Sequence, residues 1–337
     1  MLAEGGGFEP PKACTLVVFK AAASARSRLK RRMEQLRRGM LETPKRIKAH
    51  LESVAASYIV MESKENEMAQ PDRYLLGYST SERQRLQQQA EELAEASAWL
   101  FDQVGLRAGS RVVELGCGPQ GCLELLSKRV GTTGTVIGVE VNDESVAMAR
   151  RFLTDHQITN VQVRQGDARF TGLPREAFDL ATARLVLINV PEPETIVAEM
   201  AALARPGGIV ALHEADWVTP VCDPPLQAWN RLQQVYASYA RATQIDSFIG
   251  RRVPRMLREA GLVEVDARPL IHIYGPGHPR RYIFLQLVEN LRERILAAGI
   301  MPERELVGCI DAVKRHLDDP NTTFISHLHI QGWGRKP

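Results

Sequence analysis

Three acids close three consecutive stretches that read as buried strands: Glu114 within 111–115, Glu140 near the end of 135–141, and Asp167 in Gly-Asp-Ala just past 161–165. The first stretch runs straight into Gly116-Cys117-Gly118-Pro119-Gln120-Gly121, after which 122–130 reads as a helix. Glycines after a strand let a ligand approach the backbone, and the helix N-terminus behind them favours a negative group. The same residues satisfy Gly-x-Gly-x-x-Gly with Glu140 about 20 residues on, so an NAD(P)-dependent oxidoreductase is one reading of this turn. Glu114 argues for another. A carboxylate two residues before the first glycine repels a pyrophosphate and attracts an ammonium group. Acids at successive strand tips therefore suit a cationic, sugar-bearing nucleoside, with Glu140 placed to accept both ribose hydroxyls.

The elements that must position these residues alternate. Residues 81–104 carry an apolar stripe at helical spacing, from Leu86 and Ala90 to Leu100 and Val104. Strands at 111–115, 135–141, 161–165 and 178–187 alternate with helices at 122–130 and 143–153, which argues for a parallel, doubly wound sheet. A helix at 194–203 stops in Arg205-Pro206-Gly207-Gly208, and a fifth strand follows at 209–214. Helices are expected at 225–243, 253–260, 280–298 and 302–317, and two late strands at 263–274 and 322–333. The predicted fold is α/β and Rossmann-like: a doubly wound, mostly parallel seven-stranded sheet with an antiparallel edge strand and a helical cap insertion.

Taken together, Val113-Glu114-Leu115-Gly116-Cys117-Gly118, Gly138-Val139-Glu140, Gly166-Asp167-Ala168 and Arg205-Pro206-Gly207-Gly208 resemble the class I S-adenosylmethionine-dependent methyltransferases. The resemblance covers roughly 74–270 and is strongest to the small-molecule branch similar to quinone-biosynthesis-type C-methyltransferases. It implies S-adenosyl-L-methionine as cofactor and direct methyl transfer to O, N or C of a small-molecule acceptor. Carried over residue by residue, Glu114 and Gly116 hold the methionine ammonium, Gly118 belongs to the glycine turn, Glu140 takes the ribose diol, Asp167 and Ala168 meet the adenine, and Val141 packs on it. Tyr74, in Tyr74-Leu75-Leu76-Gly77, is placed to close over the methionine end. Arg184 opens the fourth-strand motif and is placed to meet the methionine carboxylate or an ion-pair partner such as Glu214 or Asp216. Asn189 stands where the family commonly has His.

No catalytic base stands out. Candidates are Glu214 and Asp216 after the fifth strand, which read equally as ion-paired structural groups, and His272 and Tyr274 near the sixth, where a lone strand histidine is more often a structural residue than a base. His327 and His329 share one face of the last strand without a third ligand, so no metal is expected. Trp217, Trp229, Tyr236, Tyr239, Phe248 and Tyr282 fall in the cap, as core or as a box for an apolar, planar acceptor. Asp223-Pro224-Pro225-Leu226 is similar to the run used in methylating base amino groups, but it follows the fifth strand and ends in Leu. A noncatalytic cofactor-binding protein is the third class of reading.

The 337 residues suffice for a large core, and no apolar run is long enough to span a bilayer. Five cysteines without metal spacing read as reduced thiols, and the expectation is a soluble, cytoplasmic protein compatible with a homodimer. The net charge of +3 divides unevenly: residues 1–60 hold 12 Lys/Arg against 5 Asp/Glu, leaving 31 against 35 for the rest. An acidic body is wrong for tracking phosphates, so no nucleic-acid partner is expected. Gly-Phe-Glu-Pro at 7–10 resembles a translated transfer-RNA T arm, which reads 1–67 as a disordered or mis-annotated extension with Met68 as the preferred start. The methyltransferase domain is then 68–270, cap elements 217–320, and last strand and tail 321–337.

Overall fold

The structure is a computed structural model that describes residues 80–217, 220–243 and 245–337. Tyr74, the expected start at Met68 and the 1–67 extension lie outside the described residues.

Helices α1 (Thr80–Glu92) and α2 (Ala94–Gln103) lead into strand β1 (Arg111–Leu115). The expected single helix is divided at Leu93, whose φ of −96° and ψ of 5° leave the helical region, although Ser97 N still donates to Leu93 O. Alternating units follow: α3 (Leu123–Val130), β2 (Thr135–Glu140), α4 (Asp143–Asp155), β3 (Val161–Gln165), β4 (Phe178–Arg184), α5 (Pro193–Leu203) and β5 (Ala204–Asp216). The chain then gives β6 (Val221–Asp223), α6 (Gln227–Ala242), α7 (Val253–Glu259), β7 (Val263–Leu270), β8 (Ile273–Tyr274), α8 (Ile283–Asn290), α9 (Arg292–Ala297), α10 (Glu303–Asp318), β9 (Thr323–Ile325) and β10 (Leu328–Arg335).

Seven strands form the main sheet in the order β3-β2-β1-β4-β5-β10-β7. The first five are parallel, and β10 runs antiparallel to both β5 and β7. Both faces of the sheet are covered, so inward residues sort by the two-residue period of a strand. Val113, Leu115, Val210 and Leu212 join the core under α5 and α7, whereas Val112, Leu180, Ile209 and Ala211 join the core under α2, α3 and α4. The same period sends Glu114, Arg184 and His213 to the α2 side and Glu214 to the other. That division decides which acids can meet which partners.

β5 is longer than expected because Arg205-Pro206-Gly207-Gly208 is folded into its start. Gly207 takes φ +75° and donates to Lys336 O, while the register with β4 shifts between Phe178 and Leu180. Each late strand is also divided. β7 and β10 pair as far as Leu270 and His329; Ser326 N then donates to His272 O at 2.9 Å and His272 N to Ser326 Oγ at 3.0 Å. Beyond that junction β8 and β9 leave the main sheet and join β6 in a small antiparallel sheet. Helices α6, α8, α9 and α10 pack there on a separate core containing Trp229, Phe284, Leu306 and Phe324. The helical insertion thus has its own sheet and its own apolar interior.

Candidate functional site

The carboxyl ends of β1, β2 and β3 lie side by side and bring Glu114, Glu140 and Asp167 to one edge. Gly116, Gly118 and Gly121 all take positive φ, which β-carbon-bearing residues adopt at a cost. A Cβ on Gly121 would stand 2.6 Å from Cys117 O and 2.9 Å from both Glu114 oxygens, so the loop closes directly over that carboxylate. A Cβ on Gly116 would stand 2.5 Å from Val186, which lies across the loop's start.

Glu114 is buried, and both oxygens accept from Cys122 N at 2.9 and 3.0 Å. Burial pushes its carboxyl up to about 7, opposed by Arg184 and the Cys122 amide. Glu140 accepts from Gly118 N and Asn142 N, each at 2.9 Å, and burial raises it as well. These two acids therefore shape the loop. Asp167 is held by Arg169 through side-chain and backbone bonds and lies below the usual carboxylate range for that reason. Beside it Val141 is 48% exposed and Ala168 half-buried, an apolar surface at the β2 and β3 tips. Leu86 of α1 comes within 4.0 Å of a Cβ built on Gly118, so the first described helix overhangs the loop.

Arg184 meets neither Glu214 nor Asp216. Its Nη1 donates to Ser97 Oγ at 3.0 Å and its Nη2 to Gly121 O at 3.1 Å, which ties α2 to the glycine loop. Glu214, on the opposite face, accepts from Val186 N, Leu187 N and Ile188 N. Burial outweighs those bonds and pushes its carboxyl up to about 8. Asp216 is fully buried in a two-bond pair with Arg251 at 2.6 and 2.9 Å. Neither acid is at the surface, and both are engaged structurally.

A cleft of about 640 Å³, counting space open to solvent, lies between α1, the β4 and β5 tips and the cap. Leu185, Asn189, Ala215, Trp217, Tyr236 and Arg280 are among its lining. The four candidate bases Glu214, Asp216, His272 and Tyr274 are not. Ala215 and Trp217 face the cleft, so the strand period turns Glu214 and Asp216 away. Tyr274 instead stacks between His272 and His278 on the small sheet. Of the six cap aromatics, Trp217 and Tyr236 reach the cleft, Trp229 and Tyr239 fill the cap core, Phe248 lies by Arg251, and Tyr282 donates to Asp318. Leu185 takes φ +55° at the cleft wall, the kind of costly backbone found where a site fixes geometry. Asn189, placed where the family commonly has His, donates Nδ2–H to Leu185 O at 2.8 Å and steadies that turn.

Sequence reasoning did not find Arg280 or the histidine row as part of this cleft, because they come from 280 and from 327–329, far along the chain. His213, His327 and His329 are all buried. Burial, with Arg184 and Arg280 adding to it, pushes His213 down to about 3; burial and Arg280 do the same to His327, and His329 is also well below its ordinary value. Groups of three or more metal-ligating side chains are absent among the described residues. Among the same residues, no helix is long and apolar enough to cross a membrane.

These groups set a pH dependence of stability. The unfolded chain protonates its histidines near 6.5, whereas the folded protein holds His213 and His327 neutral to about 3, so stability is lost as pH falls through that window. Glu114 and Glu214 act oppositely: the folded state keeps their protons from 4.5 up to about 7 and 8, and stability is lost as pH rises through that range. The midpoint of thermal unfolding, followed by circular dichroism in a buffer series, is expected to peak between 4.5 and 6.5 and to fall on both sides. A midpoint still rising at pH 8 contradicts the assignment of these buried groups.

The strand order, the glycine loop and the acid-tipped strands agree with a family match. Residues 106–261 match a family model described as a methyltransferase domain. The matched stretch is a little under half of the chain, and over it the chain is similar to methyltransferase domains. A 37.1 kDa protein of transposon TN4556 from Streptomyces fradiae, itself uncharacterized, is 29% identical over 204 residues, covering 60% of this chain and 57% of that protein. Demethylmenaquinone methyltransferase from Halalkalibacterium halodurans is 27% identical over 187 residues, 51% of this chain and 76% of that one. The match spans about half of other curated relatives, 45% and 50% in two of them. Among solved structures, Haemonchus contortus phosphoethanolamine N-methyltransferase 2, in complex with phosphomonomethylethanolamine and S-adenosylhomocysteine, has a TM-score of 0.48 at 15% identity, covering 72% of this chain and 52% of that one. The matched residues 106–261 include the glycine loop and the three strand tips.

Proposed function

We propose that the protein is an S-adenosyl-L-methionine-dependent methyltransferase acting on a small molecule in the cleft beneath its cap. The observation that carries this reading is the pair of buried carboxylates, Glu114 and Glu140, on either side of the glycine loop. A diphosphate at that loop would face two acids, and a cationic nucleoside faces complementary charge. This disfavours the NAD(P)-dependent alternative.

Glu140 holds the ribose diol, with Val141 and Ala168 as an apolar bed for the base and Asp167 beside its amino group. Glu114, with Gly116, receives the ammonium, and a cation arriving there favours the ionised carboxylate against the cost of burial. Arg184, anchored by Ser97 and the Gly121 carbonyl, stands where a carboxylate can meet it. When bound, S-adenosyl-L-methionine supplies a sulfonium methyl that an acceptor lone pair takes by direct displacement, the methyl–sulfur electron pair staying on sulfur. The chain's part in this is alignment: Leu185, Asn189 and Trp217 line the cleft and can hold the acceptor in position for transfer.

Thermal unfolding with S-adenosylhomocysteine and with NADH separates the two cofactors. Saturating S-adenosylhomocysteine at about 100 times its dissociation constant is expected to stabilise by about 2.7 kcal/mol, with no response to NADH. Stabilisation by NADH alone would falsify the proposal. Binding of S-adenosylhomocysteine without methyl transfer across an acceptor panel favours a noncatalytic cofactor-binding protein.

A further inference from the structure

Two buried polar atoms in the wall of the cleft have no hydrogen-bond partner among the described residues. Arg280 is 4% exposed; its Nε donates to Glu92 at 2.6 Å and its guanidinium also interacts with the Tyr274 hydroxyl, yet its Nη2 has no hydrogen-bond partner among the described residues. His327, stacked on Trp217 at 4.3 Å, likewise has a buried and unpartnered Nδ1. Both residues line the cleft. Leaving a buried guanidinium edge unpaired is costly, and such groups find partners in water or ligand.

The neighbouring imidazoles are set as donors. Gln331 Nε2 donates to Ala96 O at 2.7 Å, which fixes the orientation of its amide, and the same nitrogen faces His213 Nδ1 at 3.4 Å. His213 Nδ1 therefore accepts, its Nε2–H donates to His329 Nδ1 at 3.0 Å, and His329 is left carrying its proton on Nε2. His329 lines the cleft beside His327. The charged residues in the lining are Arg85 and Arg280, and no carboxylate is among them; Glu92 reaches Arg280 from outside this lining, at its Nε edge. The rest of the wall is mostly apolar, with Trp217, Tyr236, Ile188, Ile283 and Leu287 prominent, and includes the amides of Gln89, Asn189 and Asn290.

We infer that the acceptor of this methyltransferase is a largely apolar molecule carrying an anionic oxygen, a carboxylate or a phenolate, which Arg280 Nη2 binds with His327 and His329 beside it. The guanidinium edge gives directional bonds to such an oxygen, and a neutral amide or a cationic amine gains less or is repelled. The inference rests on the methyltransferase reading, and the test separates the two.

The full-length protein, saturated with S-adenosylhomocysteine, is titrated calorimetrically with matched pairs: biphenyl-4-carboxylate against its carboxamide, decanoate against decanamide, and 4-phenylphenol above and below its ionisation. At least one anion is expected to bind tenfold or more tighter than its neutral counterpart. Preference among the acids assigns a carboxylate, and preference for ionised 4-phenylphenol assigns a phenolate. R280Q is expected to abolish the preference while S-adenosylhomocysteine affinity stays within threefold, which also shows that the variant is folded; R280K is expected to keep part of it. Equal binding of every pair, or an unchanged preference in R280Q, overturns the inference while leaving the methyltransferase reading intact. Failure of wild-type protein to bind S-adenosylhomocysteine overturns both.

Discussion

Replacing Arg281 with methionine is expected to melt the cap ahead of the main sheet and to lower the overall thermal midpoint by about 10 °C. Arg281 is almost wholly buried, and its guanidinium donates to Leu317 O at 3.1 Å, Tyr274 O at 3.0 Å and Thr322 O at 2.8 Å. Those carbonyls belong to the end of α10, to β8 and to the turn before β9, so one side chain ties three separate segments of the insertion. Methionine keeps much of the apolar stem and removes every donor. Three buried carbonyls then lose partners at a cost of roughly 1–3 kcal/mol each. Hydrogen exchange is the decisive measurement: protection is expected to vanish from α8, α9 and α10 while β1, β2 and β4 keep theirs. Lysine at this position, with its charge but no fork, should fall between. Uniform loss of protection throughout would show that the cap and the sheet form one cooperative unit.

Glu140→Ala is expected to weaken S-adenosylhomocysteine binding more than hundredfold. Two losses combine. The carboxylate is the acceptor proposed for the ribose hydroxyls, and hydrogen bonds to charged groups contribute about 1.5–3 kcal/mol each. It also accepts from Gly118 N and Asn142 N, so its removal loosens the glycine loop and the entry to α4 together. Glu140→Gln retains one acceptor oxygen and should be intermediate. Calorimetric titration distinguishes these cases, and an affinity within threefold of wild type for the alanine variant would remove Glu140 from the cofactor site. Thermal midpoints without ligand then tell whether the loop's own packing has changed.

The parallel half of the molecule was legible because its information is local. The run from Val112 through Gly121 states a strand, a turn and a helix start in ten neighbouring positions, and Glu114, Glu140 and Asp167 each terminate or follow an apolar stretch whose period is unmistakable. The cap was legible only as helices. Nothing in residues 263–274 or 322–333 marks where each strand leaves one sheet for another, since the apolar pattern continues through Leu270-Ile271-His272-Ile273 while the backbone crosses over at His272 and Ser326. The fate of the candidate bases was hidden for a related reason. β5 is held in register by both β4 and β10, the latter some 115 residues later, and in that setting Ala215 and Trp217 line the cleft while Glu214 and Asp216 turn away. Arg184 was recognisable as important by position, yet its partners, Ser97 and the carbonyl of Gly121, come from a helix and a loop that only the folded sheet brings within reach.

The place of the last strand has a consequence for how the protein is made. Within the main sheet β7 pairs with β10 alone, and β10 fills the space between β7 and β5, so Val263 meets Arg335 only after the cap segment between them has been made. A nascent chain on the ribosome can assemble the five parallel strands and still present β5 with an open flank until β10 emerges. Closing that gap late, across a long intervening stretch, makes the arrival of β10 the event that completes the sheet, and a chain cut short before Leu328 would leave unpaired backbone exposed to neighbouring molecules.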